Sequence, residues 1–182
     1  MTVCSNRKGL LLAATLAFLA LPASAQQLDP ENTIIMNTSA SCSVTIQLRP
    51  DLAPKHVAQI KKLTRSGFYD GIIFHRVIEG FMAQTGDPTG TGTGGSNEPN
   101  IQAEFSNAHF ARGTVGMARA QDPNSANSQF FICFDDARFL DGKYTVWGKV
   151  TSGMELVDAI KRGEPVRDPD RIVKMQVAAD AK

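Results

Sequence analysis

Residues 33–36 and 44–48 place apolar and polar positions at period two, with a Ser/Ala/Asn-rich stretch between them, and this pattern predicts an antiparallel hairpin. The period then changes. Val57, Ile60 and Leu63 recur at helical spacing behind Pro54, a residue suited to the first helical position, and Gly67 stops the run. Asp70-Gly71 predicts a turn into a strand over 72–78, and residues 85–100, rich in Gly and Thr, read as loop. Further strands are expected over 114–119, 130–134 and 145–150, with a closing strand over 171–178. Ser152-Gly153-Met154-Glu155 has the spacing of a capping box and predicts a second helix running to about Lys161. Many short strands with two helices far apart predict an antiparallel barrel or sandwich, and the pattern does not choose between them.

The N-terminus follows different rules. Arg7 and Lys8 precede an apolar run over 9–21, Pro22 breaks it, and Ala23-Ser24-Ala25 has the small-x-small form of a cleavage site. This is the layout of a secretory signal peptide. The run is shorter than the ~20 apolar residues a spanning helix needs. Cleavage after Ala25 is expected to release an exported, soluble chain over 26–182. Taking Arg7 and Lys8 from 19 cations leaves 17 against 18 acids, a formal charge of −1. That balance lacks the basic stripe of a nucleic-acid binder.

Cys4 leaves with the signal. Cys42 and Cys133 lie in strand-like runs, and a domain of ~150 residues has core enough to dispense with a disulfide, so two buried free thiols are favoured over a bridge. His56, His75 and His109 have no metal-ligand spacing, and no G-x-S-x-G anchors hydrolase chemistry. The run from Gly90 to Gly95 satisfies G-x-G-x-x-G formally. It follows Asp87-Pro88 and precedes Ser96-Asn97-Glu98-Pro99, without the strand and helix that a dinucleotide site requires. A glycine loop that lets a peptide backbone approach is the better reading. No metal and no cofactor are expected.

The segment 74–87 carries the chemistry. Arg76 lies among Phe74, Val77 and Ile78, a Glu79-Gly80 turn follows, then the Phe81-Met82 pair, then Gln84. An apolar shelf beside a guanidinium and an amide suits a substrate with an apolar ring and an adjacent peptide bond, as in proline. A second segment, Ser128-Gln129-Phe130-Phe131-Ile132-Cys133, has two phenylalanines that must face opposite ways on a strand. Phe139-Leu140-Asp141-Gly142-Lys143-Tyr144 follows it closely.

Together these segments resemble the cyclophilin family of peptidyl-prolyl cis-trans isomerases, over about 33–177. The resemblance implies a mainly β fold, a closed eight-stranded antiparallel β-barrel with an α-helix capping each end. It implies that Arg76 donates to the prolyl nitrogen and that Gln84 bonds the substrate backbone. Phe81, Met82, Phe131 and Leu140 would enclose the ring, with Phe130 packed inside. Ala118 and Arg119 would lie along the residue before proline, near Gln129 and Gly92. Three positions depart from the best-known members: Phe139 stands in place of tryptophan, Tyr144 in place of a pocket histidine, and Arg119 in place of asparagine. The expected partners are proline-containing polypeptides and cyclosporin-type ligands, the latter bound more weakly for want of the indole donor. A monomer in the bacterial periplasm, assisting exported proteins to fold, is the leading expectation. A proline-segment-binding chaperone or adaptor with little turnover is the alternative.

Overall fold

The computed structural model describes residues 28–181, so the segment 1–25 expected to be a signal peptide lies outside the described residues. Eight strands follow in chain order: β1 (Thr33–Thr38), β2 (Ser41–Leu48), β3 (Arg76–Ile78), β4 (Met82–Thr85), β5 (Thr114–Met117), β6 (Phe130–Cys133), β7 (Val146–Ser152) and β8 (Ile172–Val177). Helix α1 (Pro54–Arg65) lies between β2 and β3, and α2 (Met154–Asp158) follows β7. All pairings are antiparallel, in the order β3-β4-β6-β5-β7-β2-β1-β8.

This sheet curls into a half-barrel, and the full closure expected above is not met by a strand ladder. Its two edge strands, β3 and β8, are not paired with each other. The residues just before β3 reach the other edge instead: Gly71 N donates to Ile172 O at 2.7 Å, Ile172 N to Ile72 O at 2.8 Å and Phe74 N to Asp170 O at 2.8 Å. The strand expected over 72–78 is therefore split. Its first half bridges to Arg171, and only its second half forms β3.

α1 forms where the pattern placed it, burying Val57, Ile60 and Leu63. Ala53 at its N-cap offers no side-chain acceptor, and a distant carboxylate replaces it. Glu104 accepts from the backbone N–H of Lys55 and His56, each at 3.0 Å, and from His56 Nδ1 at 2.6 Å. A negative group there satisfies orphan donors and complements the helix dipole.

The second helix corrects the capping-box reading. Ser152 is still extended and pairs with Thr45, so its backbone belongs to β7. Gly153 caps α2 instead, at φ 81°, with no side-chain hydrogen bond. A Cβ at 153 would lie 2.8 Å from Ser43 O, so both the left-handed backbone and the close approach demand glycine. The helix ends at Asp158, short of Lys161.

Phe130 and Phe131 divide the interior. Phe130 packs edge-on to Trp147 and Tyr69 in the main core, with ring centroids 5.4 and 5.5 Å away. Phe131 belongs to a second cluster with Met82, Phe110, Cys133, Leu140 and Val146, which underlies the site. Cys133 is a free thiol, and burial pushes its pKa up to about 12. The side chain of Cys42 lies outside the described residues. Among the described residues, no helix is long and apolar enough to cross a membrane.

Candidate functional site

β-register assembles the site. Arg76 pairs with Gln84, Gln84 with Phe131, and Phe131 with Gly116, one row across β3, β4, β6 and β5. Directly opposed residues of antiparallel strands project from the same face, so guanidinium, amide and aromatic ring stand side by side. Gly116 makes room for the ring: a Cβ there would lie 2.6 Å from both Phe131 Cζ and Phe110 Cε1. Without it, Phe131 stacks on Phe110 at 5.8 Å, with 22° between the planes.

Above this floor opens a cavity of about 850 Å³. Its lining includes Arg76, Phe81, Met82, Gln84, Gly92, Ala118, Arg119, Phe131, Phe139, Leu140 and Tyr144, which is every expected residue except Gln129. Gln129 lines an adjoining cavity of about 580 Å³, whose wall shares Gln84, Gly92, Ala118 and Arg119 with the first. Phe139 is 60% exposed at the rim, its ring centroid 5.2 Å from that of Phe81. Arg119 lies over the Tyr144 ring at 4.5 Å and donates from Nη2 to Lys143 O at 2.9 Å. A guanidinium stacked on a phenol therefore stands at the boundary of the two cavities.

Polar groups are chained along one side. Arg76 donates from Nε to Glu164 Oε1 and directs Nη1 toward Gln84 Oε1 at 3.5 Å. Gln84 Nε2 donates to Gln129 Oε1 at 2.9 Å, and Gln129 Nε2 donates to Gly92 O at 3.0 Å and Gly94 O at 2.8 Å. The glycine loop is folded around Asp87, which is 1% exposed. Its carboxylate accepts from the backbone N–H of Thr89, Gly92 and Gly94 and from the Thr89 hydroxyl. Burial alone would raise the pKa of Asp87. Those four donors outweigh burial and hold it down to about 2.

Five lining residues escaped the sequence reading as site residues: His75, Gly90, Thr91, Glu164 and Pro165. His75 is buried beneath Gly92, and burial pulls its imidazole below the ordinary histidine range. Gly163-Glu164-Pro165 is legible as a turn, but no local signal says that it returns to Arg76. Among the described residues, no group of three or more His, Cys, Asp or Glu could hold a metal ion.

Comparison with known proteins gives one answer. The family described as "Cyclophilin type peptidyl-prolyl cis-trans isomerase/CLD" matches residues 33–177. A Brucella suis protein named "Probable peptidyl-prolyl cis-trans isomerase" is 56% identical, covering 93% of this chain and 96% of its own. A Helicobacter pylori peptidyl-prolyl cis-trans isomerase is 45% identical over 67% of this chain and 76% of its own. Among solved structures, a cyclophilin from Hirschia baltica superposes with a TM-score of 0.79 at 32% identity, covering 85% of this chain and 77% of its own. A Cryptosporidium parvum cyclophilin-type isomerase, crystallised in the presence of the dipeptide Ala-Pro, gives 0.74 at 30% identity, covering 80% and 98%. The match spans the row from Arg76 to Phe131 and both cavities above it, and the chain belongs to the cyclophilin-type peptidyl-prolyl cis-trans isomerases.

Proposed function

We propose that this isomerase turns X-Pro bonds in the cavity floored by Phe131, with Arg76 as the donor to the prolyl nitrogen, and that its clients are exported proteins. The observation that carries the assignment is the row Arg76–Gln84–Phe131, a guanidinium and an amide beside an apolar floor.

Rotation about a peptide bond faces a barrier of ~18–20 kcal/mol, set by conjugation of the nitrogen lone pair with the carbonyl. The cis and trans forms of X-Pro differ by only ~0.5–1 kcal/mol, so the exchange is slow for kinetic reasons alone. No covalent bond needs to form or break. As the bond twists, the nitrogen becomes pyramidal and accepts a hydrogen bond that neither planar form can accept. A guanidinium N–H aimed at that nitrogen stabilises the twisted state over both ground states, which is differential binding. A charge-assisted bond of ~1.5–3 kcal/mol contributes roughly one to two powers of ten in rate. Phe81, Met82, Phe131 and Leu140 would hold the ring while Gln84 bonds the backbone. Gly92, Ala118, Arg119 and Gln129 would flank the residue before proline, with Phe139 and Tyr144 completing the rim.

The signal-peptide layout over 1–25 supports export, most readily to a bacterial periplasm. The working unit proposed is a monomer. Uncatalysed proline isomerisation takes ~10–100 s at 25 °C, long enough to limit folding there. The test is cis-to-trans exchange of an X-Pro peptide with the chain over 26–182 and with its Arg76→Ala variant. Loss of most turnover in a folded variant is expected. Unchanged turnover would move the assignment of the donor elsewhere, and peptide binding without turnover in the parent protein would favour a binding module. Arg76→Lys is also expected to be poor, because a point-charge ammonium does not reproduce the planar fork.

A further inference from the structure

The segment after α2 returns to the site. Gly163 exchanges two backbone hydrogen bonds with Val77, one in each direction and both at 2.8 Å, and Val166 N donates to His75 O at 3.3 Å. β3 is an edge strand, so this turn pairs along its free edge. The turn has no room for a side chain at 163: a Cβ would lie 2.7 Å from Pro165 O and 2.8 Å from Val166 Cα. The fold thereby brings Glu164 to Arg76, the neighbour of Val77, and Glu164 Oε1 accepts from Arg76 Nε.

The two side chains are 37% and 55% exposed, a setting in which an ion pair adds little to stability. Its consequence is geometric. A guanidinium is a rigid plane with five donors. Glu164 holds it at Nε, and Gln84 holds it at Nη1, weakly, at 3.5 Å. Anchors on two nitrogens fix the plane, whereas the Gln84 contact alone leaves it free to turn about its own side chain. Neither anchor uses Nη2.

We propose that Glu164 is a positioning residue for isomerisation, holding the Arg76 guanidinium plane so that its remaining N–H groups meet the prolyl nitrogen as the bond twists. This rests on Arg76 being the donor. Misplacement of a reacting group by about 1 Å costs on the order of a hundredfold in rate, so a loosened guanidinium is expected to cost roughly ten- to hundredfold in kcat.

Glu164→Ala removes the acceptor, and Glu164→Gln keeps an oxygen for Nε; both leave the backbone pairing of Gly163 with Val77 in place. Exchange kinetics on an Ala-Pro peptide should show kcat falling in Glu164→Ala with KM nearly unchanged and the melting temperature unmoved. Glu164→Gln should recover most of the loss. In an Arg76→Ala background, Glu164→Ala should change turnover no further. Full activity in Glu164→Ala beside a crippled Arg76→Ala overturns the positioning role and leaves the donor assignment intact. An active Arg76→Ala overturns the donor assignment, and the positioning role with it. An equal Glu164→Ala loss with or without Arg76, or a loss that follows the melting temperature, marks a structural role and also overturns the proposal.

Discussion

Gln84 and Gln129 are bonded side chain to side chain, Nε2 of the first donating to Oε1 of the second at 2.9 Å, and this bond joins the arginine side of the cavity to the glycine loop. Gln129 completes the link through Gly92 O and Gly94 O. Gln129→Ala removes all three bonds at once. Each is worth about 0.5–1.5 kcal/mol, so a loss of roughly tenfold or more in kcat/KM is expected, carried mainly by KM for peptides extended ahead of the residue before proline. Peptide-length series on parent and variant check this. An unchanged kcat/KM would mean that Asp87 alone holds the loop.

Asp87 makes the loop sensitive to acid. Its folded pKa of about 2 lies below its ordinary unfolded value of ~3.9. A depressed carboxylate contributes stability that is complete above the unfolded value and is lost as pH falls through the folded one. The contribution is at most about 2–3 kcal/mol, present at pH 7 and fading between about pH 4 and pH 2. Asp87→Asn turns one acceptor oxygen into a donor facing the N–H groups of Gly92 and Gly94. It should be less stable by about 2 kcal/mol at pH 7, and the gap should narrow in acid. Urea unfolding of both proteins across that range measures it, and a gap independent of pH would show that the charge of Asp87 is not the cause.

What could be read from the sequence, and what could not, divides along the range of the interactions. Arg76, Gln84 and Phe131 were legible because their residue types and order carry the family pattern. β4 was not legible as a strand: Met82, Ala83 and Thr85 are all buried and only Gln84 is half-exposed, so no alternation marks it. The row that unites the site therefore depends on a strand the pattern conceals. Glu164 lies 88 residues from Arg76 and meets it only because the Gly163 turn pairs with β3. At Ser152 a good local signal lost to a longer-range one, since pairing with Thr45 keeps that residue extended. The open edge between β3 and β8 has the same origin: the apolar run over 72–78 serves two partners in turn.

The placement of Arg119 gives a prediction for the residue before proline. Its guanidinium is held over Tyr144 and by the carbonyls of Ala120 and Lys143, so its charge is fixed where the two cavities meet. A fixed cation there favours an acidic residue before proline over a basic one. Arg119→Asn should lower the ratio of kcat/KM for Glu-Pro over Lys-Pro peptides by roughly two- to fivefold, the scale of a solvent-exposed charge interaction. Parallel assays on the two peptides decide it. A ratio that stays the same assigns Arg119 to holding Tyr144 alone.

Phe139 offers a test that sets turnover apart from drug binding. Its ring rests against Phe81 at the rim and supplies apolar area without an N–H donor. A proline ring needs that area, so turnover should be largely intact as the chain stands. The family resemblance implies that a cyclosporin-type ligand uses an indole N–H at this position, and such a ligand would lose that bond here, a term of ~1 kcal/mol and up to ~3 kcal/mol if a buried acceptor is left unpaired. Phe139→Trp restores the donor at a position with room for the larger ring, because the side chain is already mostly in solvent. Inhibition should tighten by roughly five- to a hundredfold while the isomerase rate changes little. Paired inhibition curves and exchange rates on the two proteins provide the test. Equal inhibition would clear position 139 of control over the drug, and the stacked Arg119–Tyr144 wall would be the next place to substitute.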